Sequence, residues 1–169
     1  MVGQQRYYNK ADMLIVVSDS GTIVTSGAVD GFATVVPTNE AKLFVSTTSF
    51  FNARENKTIK CTDLNVAKLR EWNTNNTVFR VPWPPLDVAT VFIADTRSQS
   101  SGTEPGVRLI NGEWLPPRGL TVATPDPIYI KGNYNVTTNG TPMNLGTADT
   151  TCALPASIAA DAITILSVS

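Results

Sequence analysis

Apolar residues along this chain come in short β-branched runs, divided by polar corners of Gly, Pro, Asn and Asp. Met13-Leu14-Ile15-Val16-Val17 is followed by Ser18-Asp19-Ser20-Gly21 and then by Thr22-Ile23-Val24-Thr25. Such runs around an Asp/Ser/Gly cluster predict two strands and a turn. Further strands are expected at 33–36 and 42–46, divided by Pro37-Thr38-Asn39. One stretch departs from this pattern. Between 63 and 72, Val66, Leu69 and Trp72 recur at three-residue spacing, which predicts one short helix with Thr62 or Asp63 as its N-cap. Val81-Pro82-Trp83-Pro84-Pro85-Leu86 then fixes φ and removes backbone donors, so it reads as an extended connector with Trp83 packed locally.

The second half repeats one grammar. Thr90-Val91-Phe92-Ile93-Ala94 predicts a strand, and the polar stretch 96–106 predicts a mobile insertion. Val107-Arg108-Leu109-Ile110, Asn111-Gly112 and Glu113-Trp114-Leu115 form a first unit of strand, corner and strand. Leu120-Thr121-Val122-Ala123, Thr124-Pro125-Asp126-Pro127 and Ile128-Tyr129-Ile130 form a second. A third runs from Ala156 through Ala160-Asp161 to Leu166. Asn-Gly alone is a strong signal for an antiparallel hairpin. Three such units in series fit stacked turns of a parallel β-helix instead, each strand pairing with its counterpart one turn later. The prolines at 125 and 127 suit a corner and would break a tight hairpin. The expected fold is therefore all-β with one short α-helix, its second half a short right-handed parallel β-helix. The 169 residues read as a single domain: a β-rich part at 1–60, the helix and Pro-rich connector at 61–87, and a β-helix-like part at 88–169.

Composition narrows the function classes. A charged fraction of 16% against a hydrophobic fraction of 42% leaves Thr, Ser and Asn to make up the surface, as in β-rich envelope and secreted proteins. The thirteen basic residues are scattered and net charge is −1, which argues against nucleic acid as a partner. No apolar run reaches the length of a membrane span, and the first residues lack a signal-peptide layout. A targeting segment for export is expected outside this chain. Histidine is absent, which removes Ser-His and Cys-His nucleophile pairs and His-ligated zinc. Cys61 and Cys152 lie far apart, without metal-ligand spacing, and read as buried small hydrophobes more readily than as a disulfide. No cofactor and no metal are expected. Four Asn-x-Thr matches, beginning at Asn56, Asn75, Asn135 and Asn139, are the chance yield of a Thr- and Asn-rich chain.

Several segments resemble the C-terminal β-rich region of PilX-like, type IV pilus-assembly-associated proteins of the bacterial cell envelope. They are the run from Gly119 to Asn135, the run from Pro155 to Ser167, and upstream Phe51-Asn52-Ala53-Arg54-Glu55-Asn56-Lys57-Thr58 with Asp63-Leu64-Asn65-Val66-Ala67-Lys68-Leu69. The resemblance covers most of the chain from Arg6 onward. It implies an extracytoplasmic, cell-surface location, a structural or adhesive role, and no catalytic residues. The prepilin-like helix that precedes this region in the family is absent here, so the resemblance does not carry membrane anchoring to this chain.

Three arrangements could carry chemistry. If the units stack, the corner residues Asn111, Asp126 and Asp161 come together, joined by Asp95, as a cation site or as the paired carboxylates of a glycan-cleaving β-helix. Against this stands ordinary corner chemistry, in which Asp and Asn bond their own turn backbone. Trp114, Tyr129 and Tyr134 form a second group, an outward aromatic face for stacking on sugars, since Tyr129 alternates with Ile128 and Ile130. A third is a Lys–Asn isopeptide crosslink, for which no motif places the buried acid it requires. The function expected is a non-enzymatic structural or interaction domain of a bacterial surface or pilus-associated protein, whose partners are other subunits of that assembly or itself. The alternative is a carbohydrate-binding or carbohydrate-active β-helix with a glycan partner.

Overall fold

A computed structural model describes residues 7–26, 35–75, 88–138, 141, 142, 148 and 150–167. The protein is mostly β, with a few short helices and two mixed five-stranded sheets that do not close on each other. The first sheet holds β1 (Met13–Ser18), β2 (Gly21–Ser26), β5 (Thr90–Asp95), β7 (Leu120–Ala123) and β11 (Ala156–Ala159), in the order β11-β7-β5-β1-β2. The second holds β3 (Val45–Asn52), β4 (Lys57–Asn65), β6 (Thr103–Gly112), β8 (Ile128–Tyr134) and β12 (Ile163–Leu166), in the order β12-β8-β6-β4-β3. A small ribbon of β9 (Thr137–Thr138) and β10 (Thr141–Pro142) stands apart.

From β4 onward the chain visits the two sheets in turn. Each strand pairs in parallel with the one a full circuit earlier: β5 on β1, β6 on β4, β7 on β5, β8 on β6, β11 on β7 and β12 on β8. Among the described strands of the two sheets, only β1–β2 and β3–β4 pair antiparallel, as do β9 and β10 in their separate ribbon. The reason lies in the alternation of side chains across a strand. Ile15, Val91, Ile93, Val107, Leu109, Val122, Ile128 and Ile130 point between the sheets and form one continuous core. The alternate residues face outward.

Two helices interrupt the strands. The first, α1 (Thr38–Phe44), occupies much of the stretch expected as a strand at 42–46. It buries Ala41 and Phe44 in the core, and Glu40, Ala41, Lys42 and Leu43 are good helix formers. Of the strand expected at 33–36, residues 33 and 34 lie outside the described residues, and Val35 makes an isolated bridge to Thr25. The second, α2 (Val66–Asn75), starts later than its periodicity implied. Asn65 Oδ1 accepts the Lys68 N–H at 3.1 Å and so does the capping work expected of Thr62 or Asp63. Both of those residues belong to β4. The Pro-rich connector with Trp83 lies outside the described residues. A short helical turn at 7–10 lies ahead of β1.

The stretch expected as a mobile insertion is shorter and firmly tied. Residues from Thr103 onward are in β6. The rest is held by Thr96 N–H to Val17 O at 2.7 Å, Lys60 Nζ to Ser98 O at 2.6 Å, and Thr58 N–H to Gly102 O at 2.8 Å. No helix among the described residues is long and apolar enough to cross a membrane.

Candidate functional site

The corners where the chain leaves the first sheet for the second stack on one side of the molecule. They follow β5, β7 and β11 and carry Asp95, Asp126 and Asp161. Asp95 is fully buried and engaged on both oxygens. Thr62 Oγ1 donates to Oδ2 at 3.0 Å, Arg97 Nε donates to Oδ1 at 2.9 Å, and Arg97 Nη2 donates to Oδ2 at 2.5 Å. That hydrogen bonding raises the Arg97 guanidinium pKa further. One circuit later, Asp126 Oδ2 accepts the backbone N–H of Asp95 at 3.3 Å, while its own N–H donates to Thr124 Oγ1 at 3.1 Å. Burial pushes the Asp126 carboxyl above the ordinary aspartate range, and the nearby Asp95 charge adds to this. Asp161 is exposed, and among the described residues no hydrogen bond or ion pair engages its carboxylate.

The structure therefore brings Asp95 and Asp126 into contact and puts Asp161 one corner further on. It separates Asn111 from them. Asn111 lies at the far end of β6, on the way back to the first sheet, where a bulge shifts the β6–β8 register. Its φ of 53° is left-handed, as is the 56° of Asn135 after β8. The expectation that Asn111 joins the carboxylate corner is corrected by this placement, and so is the antiparallel hairpin around Asn111-Gly112. β6 runs through that dipeptide and pairs in parallel on both sides, because its inward residues Val107 and Leu109 already have partners one circuit away. Residues 113–115 form no strand. Nor does Val107-Arg108-Leu109-Ile110 stack on Leu120-Thr121-Val122-Ala123. The first pairs with Ile128 and its followers in the second sheet, the second with β5 and β11 in the first.

The expected aromatic face does not form. Tyr129 does point outward from the core, but it is only 3% exposed, covered edge-to-face by Phe50 at 5.0 Å. Trp114 is half-buried beneath the Arg70 guanidinium, 3.6 Å from the ring centroid. Tyr134 packs against the core, and burial pushes its phenol up to about 12. Among the described residues its hydroxyl is the one buried side-chain polar atom without a hydrogen-bond partner.

Sequence reasoning missed a second buried ion pair, on the outer face of the second sheet. Arg108 Nη2 and Nε donate to the two oxygens of Asp63 at 2.6 and 3.0 Å, and Thr48 Oγ1 donates to the same carboxylate at 3.2 Å. Asp63 pairs with Arg108 across β4 and β6, and Ser46 and Thr48 lie on the neighbouring β3. The sequence pattern offers Asp63 as a helix cap, and only its place in β4 sets the register that reveals the pair. Burial pushes the neighbouring Cys61 thiol far up. Both cysteines are buried thiols.

Backbone anchoring by side chains was also missed. Asn73 exchanges two hydrogen bonds with the backbone of Val88, at 3.0 and 3.2 Å. Asn135 does the same with Leu154, at 2.7 and 2.9 Å. Each amide imitates a strand partner where the chain crosses back to the first sheet. Asp12 Oδ2 accepts the N–H groups of Ala89 and Thr90 at 2.9 and 2.8 Å and so pins the start of β5. Asp19 receives the Ser98 N–H at 3.1 Å, and the Ser98 hydrogen bonds hold its carboxyl below the usual range.

Two surface features remain. The terminal circuit, β11 and β12, pairs on β7 and β8, and no described strand pairs with its outer side. Ile163 and Ile165 stack on Ile128 and Ile130 in register. The lower pair is 0% and 9% exposed, the upper pair 53% and 77%. A cleft of about 310 Å³ opens beside the last two corners, between Tyr7, Ala123, Thr124, Pro125, Ala159 and Asp161. Among the described residues no group of three or more carboxylate or thiol side chains is placed to hold a metal ion. Comparison with known proteins finds no matching family model, no matching curated protein and no matching solved structure.

Proposed function

We propose that this chain is a non-enzymatic structural and interaction domain of a bacterial surface or pilus-associated assembly. In this reading the two alternating sheets are a short right-handed parallel β-helix, and contact with a neighbour runs through its open end. The carrying observation is the exposure of Ile163 and Ile165 directly above the buried Ile128 and Ile130. The inward column buried at β8 is bare at β12, whose outer edge no described strand pairs with. The right-handed sense follows the strong chirality of parallel crossover connections. The non-enzymatic part draws on the corner: Asp95 is committed to Arg97 and Thr62, and Asp126 to the backbone of Asp95. The envelope location and the PilX-like affiliation rest on the composition and on the sequence segments named above.

In the isolated chain the available neighbour is a second copy. Sedimentation velocity across a dilution series is expected to show reversible association of the wild-type chain. Ile163→Lys with Ile165→Lys is expected to give a monomer with an unchanged melting temperature, because lysine on an edge strand blocks pairing without touching the interior. A wild-type chain that stays monomeric into the millimolar range would remove the open end as an interaction surface.

A further inference from the structure

The cleft beside the last two corners arises from one row of side chains on the outer face of the first sheet. Cross-strand registers place Leu14 beside Phe92, Phe92 beside Ala123, and Ala123 beside Ala159. Two large side chains are thus followed by two small ones. Ala11 and Tyr8 lie over the large half, Tyr8 meeting Phe92 edge-to-face at 5.6 Å. Over the small half the sheet surface drops, and Tyr7 stands at the margin as a wall. Thr124, Pro125 and Asp161 from the two corners complete the rim.

We propose that this cleft binds one ring of a neutral glycan. Ala159 and Pro125 give an apolar floor over the buried Ala123, and Tyr7 at the margin adds an aromatic side chain, the kind of surface on which the C–H side of a pyranose rests. Asp161 offers an unengaged carboxylate to accept sugar hydroxyls. Thr124 is buried at the rim, where its Oγ1 accepts the Asp126 N–H, so the polar contact to the sugar falls to Asp161. Among the described residues that line the cleft there is no Lys or Arg, and Asp161 repels anions, which favours a neutral sugar over phosphates and acidic sugars. The volume is at the lower end of small-molecule sites, which suits one or two rings. The sequence pointed to sugars through Asp126 or through Trp114, Tyr129 and Tyr134. The cleft uses none of these, and it lies on the outer face of the first sheet, whereas the exposed Ile163 and Ile165 continue the inward column of the second.

The test is NMR titration of the full chain with cellobiose and with di-N-acetylchitobiose, with tetramethylammonium as a cationic control. One of the sugars is expected to shift the amide resonances of Ala123, Thr124, Ala159 and Asp161 saturably. Asp161→Ala, at an exposed residue with no described partner, is expected to weaken this by about tenfold, the loss of one hydrogen bond to a charged acceptor. Ala159→Leu is expected to abolish it by filling the floor. Both variants should keep the dispersed spectrum of the folded chain. Absence of shifts from either sugar, or shifts that survive both substitutions, overturns the site. Saturation by tetramethylammonium in place of the sugars overturns the ligand class. Shifts confined to β12 that vanish on dilution report the open end alone and also count against the cleft.

Discussion

At the β2–β3 end of the molecule each sheet stops in an antiparallel strand, and α1 slides Ala41 and Phe44 beneath it. Phe44 meets the Trp72 ring at 5.2 Å, and the Trp72 indole N–H donates to Glu40 at 2.9 Å, tying α1 to α2. At the β11–β12 end the same inward column continues for one more step and then faces water through Ile163 and Ile165. Both ends are β-branched and both belong to the same two sheets. What separates them is whether the sequence supplies an element to lie across the column. A helix does so at one end, and nothing described does so at the other. Burial in a stacked structure is thus a property of the neighbouring circuit as much as of the residue.

The largest consequence concerns the closed side. Asp63→Ala is expected to cost about 3–5 kcal/mol, because it strands Arg108 against the half-apolar surround of Phe50 and Tyr129. Chemical denaturation of wild type and variant measures this. A cost below about 1 kcal/mol, the range of an exposed pair, would mean that the ion pair is solvated and does not secure this end.

Next comes a matched pair in one column. Ile128→Ala is expected to cost about 2–5 kcal/mol, and Ile163→Ala, one circuit higher at the same register position, no more than about 0.5 kcal/mol. Measured below the concentration at which the chain associates, equal costs would show that something covers β12 and would erase the contrast between the ends.

The smallest effect is at the corner between them. The Asp126 carboxyl is raised above its ordinary value of 3.8 by burial. A raised folded-state value means that the protonated form favours the native state, so stability is fully present below pH 3.8 and is lost as pH rises through the folded value. Asp126→Asn, which can still accept the Asp95 N–H, is therefore expected to melt higher than wild type at neutral pH. Its advantage should shrink as pH falls toward 3.8. Calorimetry across that range checks this. A variant that melts lower than wild type at neutral pH would mean that the negative charge itself is needed, with Arg97 as its partner.

The β-rich character, the Ser18-Asp19-Ser20-Gly21 turn and the strands at 90–94, 120–123, 128–130 and 156–159 follow from local patterning. Their periodicity and corner residues agree with the tertiary environment. Gly119 has a reason that only space explains. Its φ of 86° and the carbonyl of Pro155 in the next circuit leave no room for a Cβ. The helix at 38–44 is missed for a different reason: Pro37-Thr38-Asn39 reads as a breaker, although the Glu40-Ala41-Lys42-Leu43 that follows is a run of good helix formers and a proline suits a helix start.

The candidate chemistry was less readable still. Asp95 and Asp126 could be named because corner residues of stacked units stand at matching places in the repeat. Asp63–Arg108 could not, since forty-five positions separate its members and only parallel register joins them. Tyr129 was assigned its outward direction from alternation alone, but alternation does not reveal that Phe50 of β3 lies across it. Asn111 is expected at a stacked corner beside the carboxylates, whereas the structure uses its left-handed backbone for a bulge within a parallel pair at the other end of β6.

Outside β4 and most of β3, the sequence by itself determined roughly where the strands lie, which face of each is apolar, and which residues can occupy a corner. These depend on backbone conformation and side-chain period, and both are local. The tertiary structure alone decided which strand lies beside which, which apolar column is covered, and which carboxylates are tied. Those depend on the offset of one circuit against the next, a distance in space that no window of consecutive residues contains.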